Sequence, residues 1–210
     1  MNKFCLSVIV AASLFTTSSK AQNDPAAKKI LDGVSAKIKT FKAITANFSL
    51  KSITSKGSNN GVRLGSVSLK GHKYLMKQSK VEIICDGSKI YNYDGNKTVT
   101  VSGVDDAGST LSPQILLSNF YDKDYTYKLI SSSGNFNQIE LVPNDKRKNV
   151  QKINIFIDKE KCFITKAKVL DKSNNIIELT ISNTNTNATL SDDLFQFNKN
   201  KYPKDIEVLD

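Results

Sequence analysis

The sequence has few of the residues on which catalysis and metal binding depend. It contains one histidine, His72, and three cysteines, of which Cys5 lies in the first apolar run. Nucleophilic schemes of the Ser/His/Asp or Cys/His type need a positioned base, and metal sites need three or four grouped ligands. Cys85, Cys162 and His72 have no such companions nearby in the sequence. We therefore expect neither an enzyme nor a metal or cofactor site, and we interpret His72 as a surface turn residue.

Arginine is equally scarce, since only Arg63 and Arg147 occur. The other basic residues are lysines scattered along the chain, with no Arg-rich stripe and no interleaving of aromatic and basic residues. This pattern argues against a nucleic acid partner. We interpret the formal net charge of +10 as a solvated surface. The alternative is a mild attraction to anionic lipid head groups.

The remaining candidates for chemistry are isolated. Cys85 and Cys162 are either a disulfide pair or two small buried hydrophobic residues, and the sequence does not decide between them. The adjacent carboxylates at 105–106 and 192–193 fall in predicted loop or cap positions, where solvation or helix capping explains them. Asp86 has no catalytic partner in the sequence and precedes Gly87, so we predict a strand–turn–strand there.

The N-terminus has the three-part pattern of a cleavable secretory signal. A basic start at residues 1–3 precedes an apolar run at 4–15, and small residues at Ser19 and Ala21 suit a signal peptidase. The run is too short for a permanent membrane anchor, and no cysteine lies just after it, at the cleavage point, for lipidation. We expect cleavage after Ala21 and export of residues 22–210 as a single, soluble domain.

The first segment after the signal reads as an amphipathic helix over residues 24–42. Asp24 suits the N-cap and Pro25 the first turn, where its missing N–H costs nothing. Spacings of three and four give the helix one apolar face. That face consists of Ala27, Ile30, Leu31, Val34, Ile38 and Phe41.

From Ile44 onward the hydrophobic period changes from 3.6 to 2, which indicates β-strands separated by tight turns. A slip of phase near Gly65 predicts a bulge or bend. Two further helical pieces are a short helix over 111–120, begun at Ser112-Pro113, and a helical turn that would fit 191–194. The predicted strands are 44–51, 62–70, 72–78, 81–86, 89–93, 98–102, 125–132, 138–142, 150–158, 162–171, 175–182, 195–198 and 206–209.

About a dozen strands with short connections must be antiparallel neighbours, and a sheet of this size curls toward a barrel. Two or three helices are too few to cover both faces. We therefore predict an α+β fold, in which a curved antiparallel sheet carries the helices across its open, concave side.

Apolar and aromatic side chains on one face of this sheet are the remaining candidates for function. Periodicity cannot separate a filled core from a cavity, so both interpretations stay open. From the strands the candidates are Phe48, Leu50, Val67, Leu69, Tyr74, Met76, Ile83, Tyr91 and Tyr93, and from the helices Ile30, Val34, Ile115, Leu116 and Phe120.

Several segments together resemble the periplasmic outer-membrane lipoprotein carrier family, the LolA-like proteins. The most specific are the Asp86-Gly87 turn before a Tyr-rich strand and the closing pattern Phe195-x-Phe197…Pro203…Val208. The resemblance covers essentially the whole chain after the signal. Its segments are 36–50, 65–70, 85–93, 111–120, 153–170, 176–181 and 195–210.

This resemblance implies an unclosed β-barrel of about 11–12 strands with the helices as a lid over a hydrophobic cavity. It also implies a monomeric periplasmic carrier that shuttles the acyl chains of lipoproteins from the inner to the outer membrane. The partners so implied are an inner-membrane lipoprotein-releasing transporter and an outer-membrane acceptor. Another amphiphile as cargo, such as a glycolipid or pigment lipid, and a role as an envelope sensor or interaction module are the alternatives.

One departure from the family affects the expected mechanism. Better-known relatives carry an Arg-Pro pair just after the second strand, and its Arg contributes to cargo handling and lid closure. Here the matching residues are Lys70, Gly71, His72 and Lys73. A lysine offers charge but no bidentate fork, so that role is not transferred to this chain.

Overall fold

The computed structural model describes residues 23–104 and 120–210. The predicted signal segment and most of the predicted helix over 111–120 lie outside the described residues. The helices are α1 (Pro25–Lys39) and α2 (Phe120–Asp124), and two short 3-10 helices span Asp192–Phe195 and Lys199–Lys201. The strands are β1 (Ile44–Ile53), β2 (Asn59–Lys70), β3 (Lys73–Gln78), β4 (Val81–Cys85), β5 (Lys89–Tyr93), β6 (Thr98–Gly103), β7 (Tyr125–Ser131), β8 (Phe136–Pro143), β9 (Val150–Asp158), β10 (Phe163–Asp171), β11 (Ile176–Asn185) and β12 (Glu207–Leu209).

All twelve strands form one sheet in the order β12-β6-β5-β4-β3-β2-β1-β11-β10-β9-β8-β7. Every neighbouring pair is antiparallel except β12 and β6, which run parallel with Glu207 opposite Thr98. Since β7 and β12 end the order without pairing to each other, the sheet curls but does not close. The predicted α+β fold, with an unclosed and curved antiparallel sheet, is confirmed.

Helix α1 begins where the sequence predicted and is tied to the sheet at that point. The Asp24 carboxylate accepts hydrogen bonds from the backbone N–H groups of Ala26 at 2.8 Å and Ala27 at 3.4 Å. Its second oxygen accepts from the backbone N–H of Leu129 in β7 at 3.0 Å. These backbone donors, Leu129 first, hold the pKa of Asp24 below its usual value. The cap therefore fixes both the start of the helix and its position on the sheet.

The concave face under α1 is a filled hydrophobic core. Alternation along β8 and β9 directs one set of side chains toward the helix, and α1 packs mainly against β7 and β10. In this half of the sheet the packed-core interpretation is correct. Its most deeply buried members include Ala27, Leu31, Val34, Ile139, Leu141, Ile155 and Ala167.

The C-terminal segment covers the opposite, convex face of β3–β5. Phe195 is fully buried there against Leu75 and Ile84. The helical turn expected at 191–194 is present as a 3-10 helix, and Ser191 caps it by accepting from the Asp193 backbone N–H. The strand predicted over 195–198 is wrong, because the chain turns to insert Phe195 into the core and does not extend beside another strand.

The local turn predictions hold. His72 is exposed in the turn between β2 and β3. Asp86 accepts hydrogen bonds at 2.8 Å from the backbone N–H groups of Ser88 and Lys89, while Gly87 has a φ of 106°. These contacts explain the strand–turn–strand without any catalytic role for Asp86.

The two cysteines do not pair. Cys85 is buried beside Tyr74 and Ile90, whereas Cys162 is exposed, and both are free thiols. Burial raises the pKa of the Cys85 thiol. The disulfide alternative is therefore wrong, and the buried-hydrophobe alternative holds for Cys85 alone.

Candidate functional site

An apolar cavity of about 240 Å³ lies on the concave face beside the last turn of α1. Its walls come from that turn and from β1, β2, β3, β10 and β11. Among the described residues that line it, only Arg63 and Thr184 are polar. The full lining is Ile38, Ile44, Ala46, Phe48, Leu50, Arg63, Val67, Leu69, Met76, Phe163, Ile164, Ile177, Leu179, Ile181 and Thr184.

Strand register brings these side chains together. Residues directly opposite each other in a sheet share a face. Phe48 lies opposite Ile181 in β11, and Ala46 lies opposite Val67 in β2. Val67 in turn lies opposite Met76 in β3. Four neighbouring strands therefore present their apolar sets to the same space.

The cavity exists because the helix stops short of this part of the sheet. Residues 40–42 were predicted to be helical, but α1 ends at Lys39, where the Thr40 hydroxyl donates to the Lys37 carbonyl at 2.7 Å. Within residues 23–104 and 120–210, no helix continues over β1–β3. The same curved face is thus filled under α1 and hollow beyond Ile38.

Five of the fourteen predicted site residues line this cavity: Phe48, Leu50, Val67, Leu69 and Met76. That they bind acyl chains stays a prediction. The two helical candidates Ile30 and Val34 instead belong to the filled core under α1.

Tyr74 and Ile83 share the concave face but pack in an adjoining cluster with Cys85 and Ile90. Leu69 touches both this cluster and the core under α1. Burial raises the pKa of Tyr74 to about 12, so its hydroxyl is neutral at physiological pH. This cluster packs against the cavity wall at Leu69 and Met76.

Tyr91 and Tyr93 are misplaced by the sequence prediction. In the β4–β5 pair Ile83 lies opposite Asn92, so Tyr91 and Tyr93 point to the convex face. There Tyr91 stacks on Phe197 with ring centroids 4.9 Å apart, and Tyr93 packs edge-on against Tyr202. A phase error of one residue moves a whole strand's side chains to the other face.

Of the other helical candidates, Ile115 and Leu116 lie outside the described residues, and Phe120 is the first residue of α2.

Ten of the fifteen lining residues were not among the predicted site residues. Ile177, Leu179 and Ile181 alternate along β11 and were visible as a strand. Their place in the site depends on the pairing of β1 with β11, which joins segments more than 100 residues apart. No local pattern in the sequence carries that information.

The wall of the cavity is thin at Gly65. The sequence predicted a bulge or bend at this position. The β1–β2 register runs unbroken here, with Phe48 opposite Gly65 and Ser49 opposite Leu64, so β2 has no bulge against β1 at this point. Phe48 instead lies across Gly65 and also lines a groove on the convex face. A Cβ atom at position 65 would lie 2.3 Å from the Phe48 Cζ atom and 2.5 Å from the Lys77 carbonyl oxygen.

We expect Gly65→Ala to lower the free energy of unfolding by about 1–3 kcal/mol, the usual cost of overpacking. The Phe48 ring can shift, but the Lys77 backbone oxygen cannot move without straining the sheet. Denaturant-induced unfolding measures the effect. Gly33→Ala is the matched control, because nothing lies within 4 Å of its added Cβ and alanine favours the helix. Equal stability of Gly65→Ala and the parent would contradict the close approach.

A polar network fixes the first half of α1 to α2. The Lys28 ammonium lies 3.2 Å from the Asp32 carboxylate and 3.0 Å from that of Asp122. The Tyr121 hydroxyl donates to Asp32 at 2.7 Å, and that of Tyr127 donates to Asp122 at 2.8 Å. The Tyr127 hydroxyl and then Lys28 hold the pKa of Asp122 below its usual value. The anchored end of α1 is therefore remote from the cavity.

The walls of the cavity belong to a strongly basic part of the chain. Between Asp32 and Glu82 the sequence contains ten lysines and arginines and not one acidic residue. This stretch includes the end of α1 and all of β1–β3. The basic residues are scattered through this stretch, and no acidic residue within it balances their charge.

Within the described residues, no three His, Cys, Asp or Glu side chains form a group that could hold a metal ion. No helix in that part of the chain is long and apolar enough to cross a membrane.

The fold and the cavity define a class of protein: an antiparallel sheet that curls without closing and keeps an apolar space on its concave face. The family model described as outer membrane lipoprotein carrier protein LolA matches residues 39–198. The chain therefore belongs to the LolA family. A search of curated proteins finds no match.

Several solved structures are similar to this chain at low sequence identity. A conserved protein from Thermus thermophilus is 12% identical with a TM-score of 0.59, over 88% of this chain and 98% of that one. A LolA superfamily protein from Nitrosomonas europaea is 12% identical with a TM-score of 0.46, over 81% and 97%. The Mycobacterium tuberculosis lipoprotein LppX is 9% identical with a TM-score of 0.49, over 80% and 100%.

Proposed function

We propose that this protein binds the acyl chains of lipoproteins in the cavity on its concave face and carries them through the periplasm. The observation that carries the proposal is the nearly all-apolar lining of that cavity in a member of a lipoprotein carrier family. Transfer between membranes needs such a space, because each CH₂ group of an acyl chain costs about 0.8 kcal/mol to expose to water. The role requires binding and release and no covalent step.

The size of the cavity limits what it holds in this conformation. An apolar cavity of roughly 150 Å³ is enough for benzene, and pockets for drug-sized ligands span about 300–1,000 Å³. At about 240 Å³, this cavity accommodates part of one acyl chain. A lipoprotein with several chains would therefore need the cavity to widen. The C-terminal end of α1 at Ile38, distant from the Lys28 network, is the element that we expect to move.

The basic stretch between Asp32 and Glu82 suits the two membranes that a carrier visits. Anionic surfaces attract lysines within about a Debye length. In the proposed cycle the protein receives its cargo from an inner-membrane transporter and delivers it to an outer-membrane acceptor. Export by the N-terminal signal is part of this proposal.

Depletion of the protein in its own host tests the cargo. We expect outer-membrane lipoproteins to accumulate at the inner membrane, as measured by membrane fractionation. Native mass spectrometry of the protein purified from the same host should show bound acylated species. Correct sorting after depletion, together with a co-purified glycolipid or pigment lipid, would replace lipoproteins by that amphiphile. A protein that carries no lipid and binds none would contradict the carrier role.

A further inference from the structure

The cavity has one charged residue in its lining, Arg63. Arg63 lies opposite Leu50 in the β1–β2 register, so its side chain is on the concave face with the other lining residues. The residue itself is exposed, which places it at the mouth of the cavity. A ligand whose acyl chain enters the cavity would therefore pass this guanidinium.

The Arg63 guanidinium has no acidic partner within the described part of the chain. No carboxylate there lies within 4.0 Å of it, whereas Arg147, the other arginine, pairs with Asp145 at 2.9 Å. The surrounding sequence also lacks a counter-charge, because no acidic residue occurs between Asp32 and Glu82. Among the described residues, nothing acidic occupies the fork of donors on Arg63, which leaves it available to an external anion.

The space beside Arg63 is open for such an anion. Its neighbours on the same face of β2, two residues away in each direction, are Gly61 and Gly65, which have no side chains. Strand β3 does not reach this level, because its pairing with β2 ends at Ser66 opposite Lys77. In residues 23–104 and 120–210, no side chain from either neighbour on β2 and no strand on the β3 side fills the position next to the guanidinium.

No other cation of β1 or β2 can take this place. Lys51 lies opposite Val62 and so projects from the convex face. Lys70 is at the far end of β2, where it donates to the Leu190 carbonyl and the Asp192 carboxylate. Among the cations of β1 and β2, only Arg63 therefore places an unpaired charged group at the rim of the apolar cavity.

We propose that Arg63 binds the anionic head of the ligand, so that the site prefers a single acyl chain ending in a carboxylate or a phosphate. A guanidinium suits both groups, because it donates two parallel hydrogen bonds to their oxygens. The small volume of the cavity agrees with one chain. This inference rests on the proposed function in that it takes an acyl chain as the ligand. It concerns free single-chain lipids, because the ester- and amide-linked chains of a lipoprotein end in neither a carboxylate nor a phosphate.

Three probes with the same sixteen-carbon chain separate head group from chain: palmitate, palmitoyl lysophosphatidic acid and monopalmitoylglycerol. Their affinities are measured at pH 7 and low salt by displacement of a neutral apolar fluorophore. We expect the two anionic probes to bind about tenfold more tightly than the neutral ester, as for a hydrogen bond between charged groups. Added salt should reduce this preference.

The variants are Arg63→Gln, Arg63→Lys and, as the matched control, Arg147→Gln. Arg63→Gln should lose the preference while its affinity for monopalmitoylglycerol stays unchanged, and Arg63→Lys should retain part of it. Arg147→Gln should behave as the parent. Thermal unfolding checks that all three variants fold, which the exposure of both arginines leads us to expect.

The outcomes separate the two proposals. If the parent binds all three probes equally, or if Arg63→Gln keeps the preference, the head-group inference is overturned and the acyl-chain function stands. Loss of the preference in Arg147→Gln to the same extent would also overturn it, since net charge and not the site would then be responsible. If none of the three probes binds to the parent, the proposed function fails as well. A preference for only one of the two anions identifies the head group and supports the inference.

Discussion

Val67→Glu should abolish the binding of acyl chains while the protein still folds. Val67 is half-buried at the centre of the cavity, between Ala46 on β1 and Met76 on β3. A carboxylate at this position is hydrated when the cavity is empty but must lose its water when a chain enters. Since burying an unpaired charge costs several kcal/mol, we expect affinity to fall by at least about 100-fold. Fluorophore displacement by palmitate measures the loss.

Ser66→Glu is the matched control for this experiment. Ser66 is the adjacent residue on β2, is exposed, and projects from the opposite face. The Ser66→Glu substitution introduces the same charge at nearly the same place in the chain. The affinity of this variant for palmitate should therefore match that of the parent. If Val67→Glu unfolds, Val67→Thr provides a nearly isosteric polar variant. Unfolding or unchanged binding with both Val67 variants would mean that this space is a packed core and not a ligand site.

Phe195→Ala should produce the largest loss of stability without a loss of binding. Phe195 is fully buried on the convex face against Leu75 and Ile84. Removing a buried aromatic ring costs about 3–5 kcal/mol through lost burial and a cavity. For a chain of this length that corresponds to a fall in melting temperature of roughly 10 °C or more. Denaturant unfolding and calorimetry measure both quantities.

Phe136→Ala is the control, because Phe136 is 44% exposed and its truncation should cost less than about 1 kcal/mol. Phe195 lies across the sheet from the cavity, so the affinity for palmitate should change little at temperatures where the variant is folded. If Phe195→Ala is as stable as the parent, the C-terminal segment does not anchor the convex face. If it loses ligand affinity while fully folded, the two faces are coupled.

Local sequence could predict some parts of the site and not others. Alternation along β1 and β2 correctly placed Phe48, Leu50, Val67 and Leu69 on one face, because a strand's own pleat fixes which residues point together. Tyr91 alternates just as well, yet it faces the other way. The turn at Asp86-Gly87 sets how β5 registers against β4, and that register is not readable from either strand alone.

The closing segment shows the same limit in another form. The pattern Phe195-x-Phe197 has the period of a strand, but both rings pack on the convex face as part of an irregular segment. Here burial of Phe195 between β3 and β4 outweighs the local β preference. The sequence predicted a strand over 195–198, and that backbone assignment is wrong.

The sequence by itself determined the elements and their local chemistry: the capped start of α1 at Asp24, the two-residue period of the strands and the Asp86 turn. It also determined that the chain has one histidine and an acid-free stretch from Asp32 to Glu82. The tertiary structure alone decided that β1 pairs with β11 and that α1 stops short of β1–β3. It also decided that Arg63 lies at the mouth of a cavity with no carboxylate of the described residues beside it. These are consequences of contacts between distant segments, whose energies depend on how neighbouring surfaces fit and not on the pattern of any one segment.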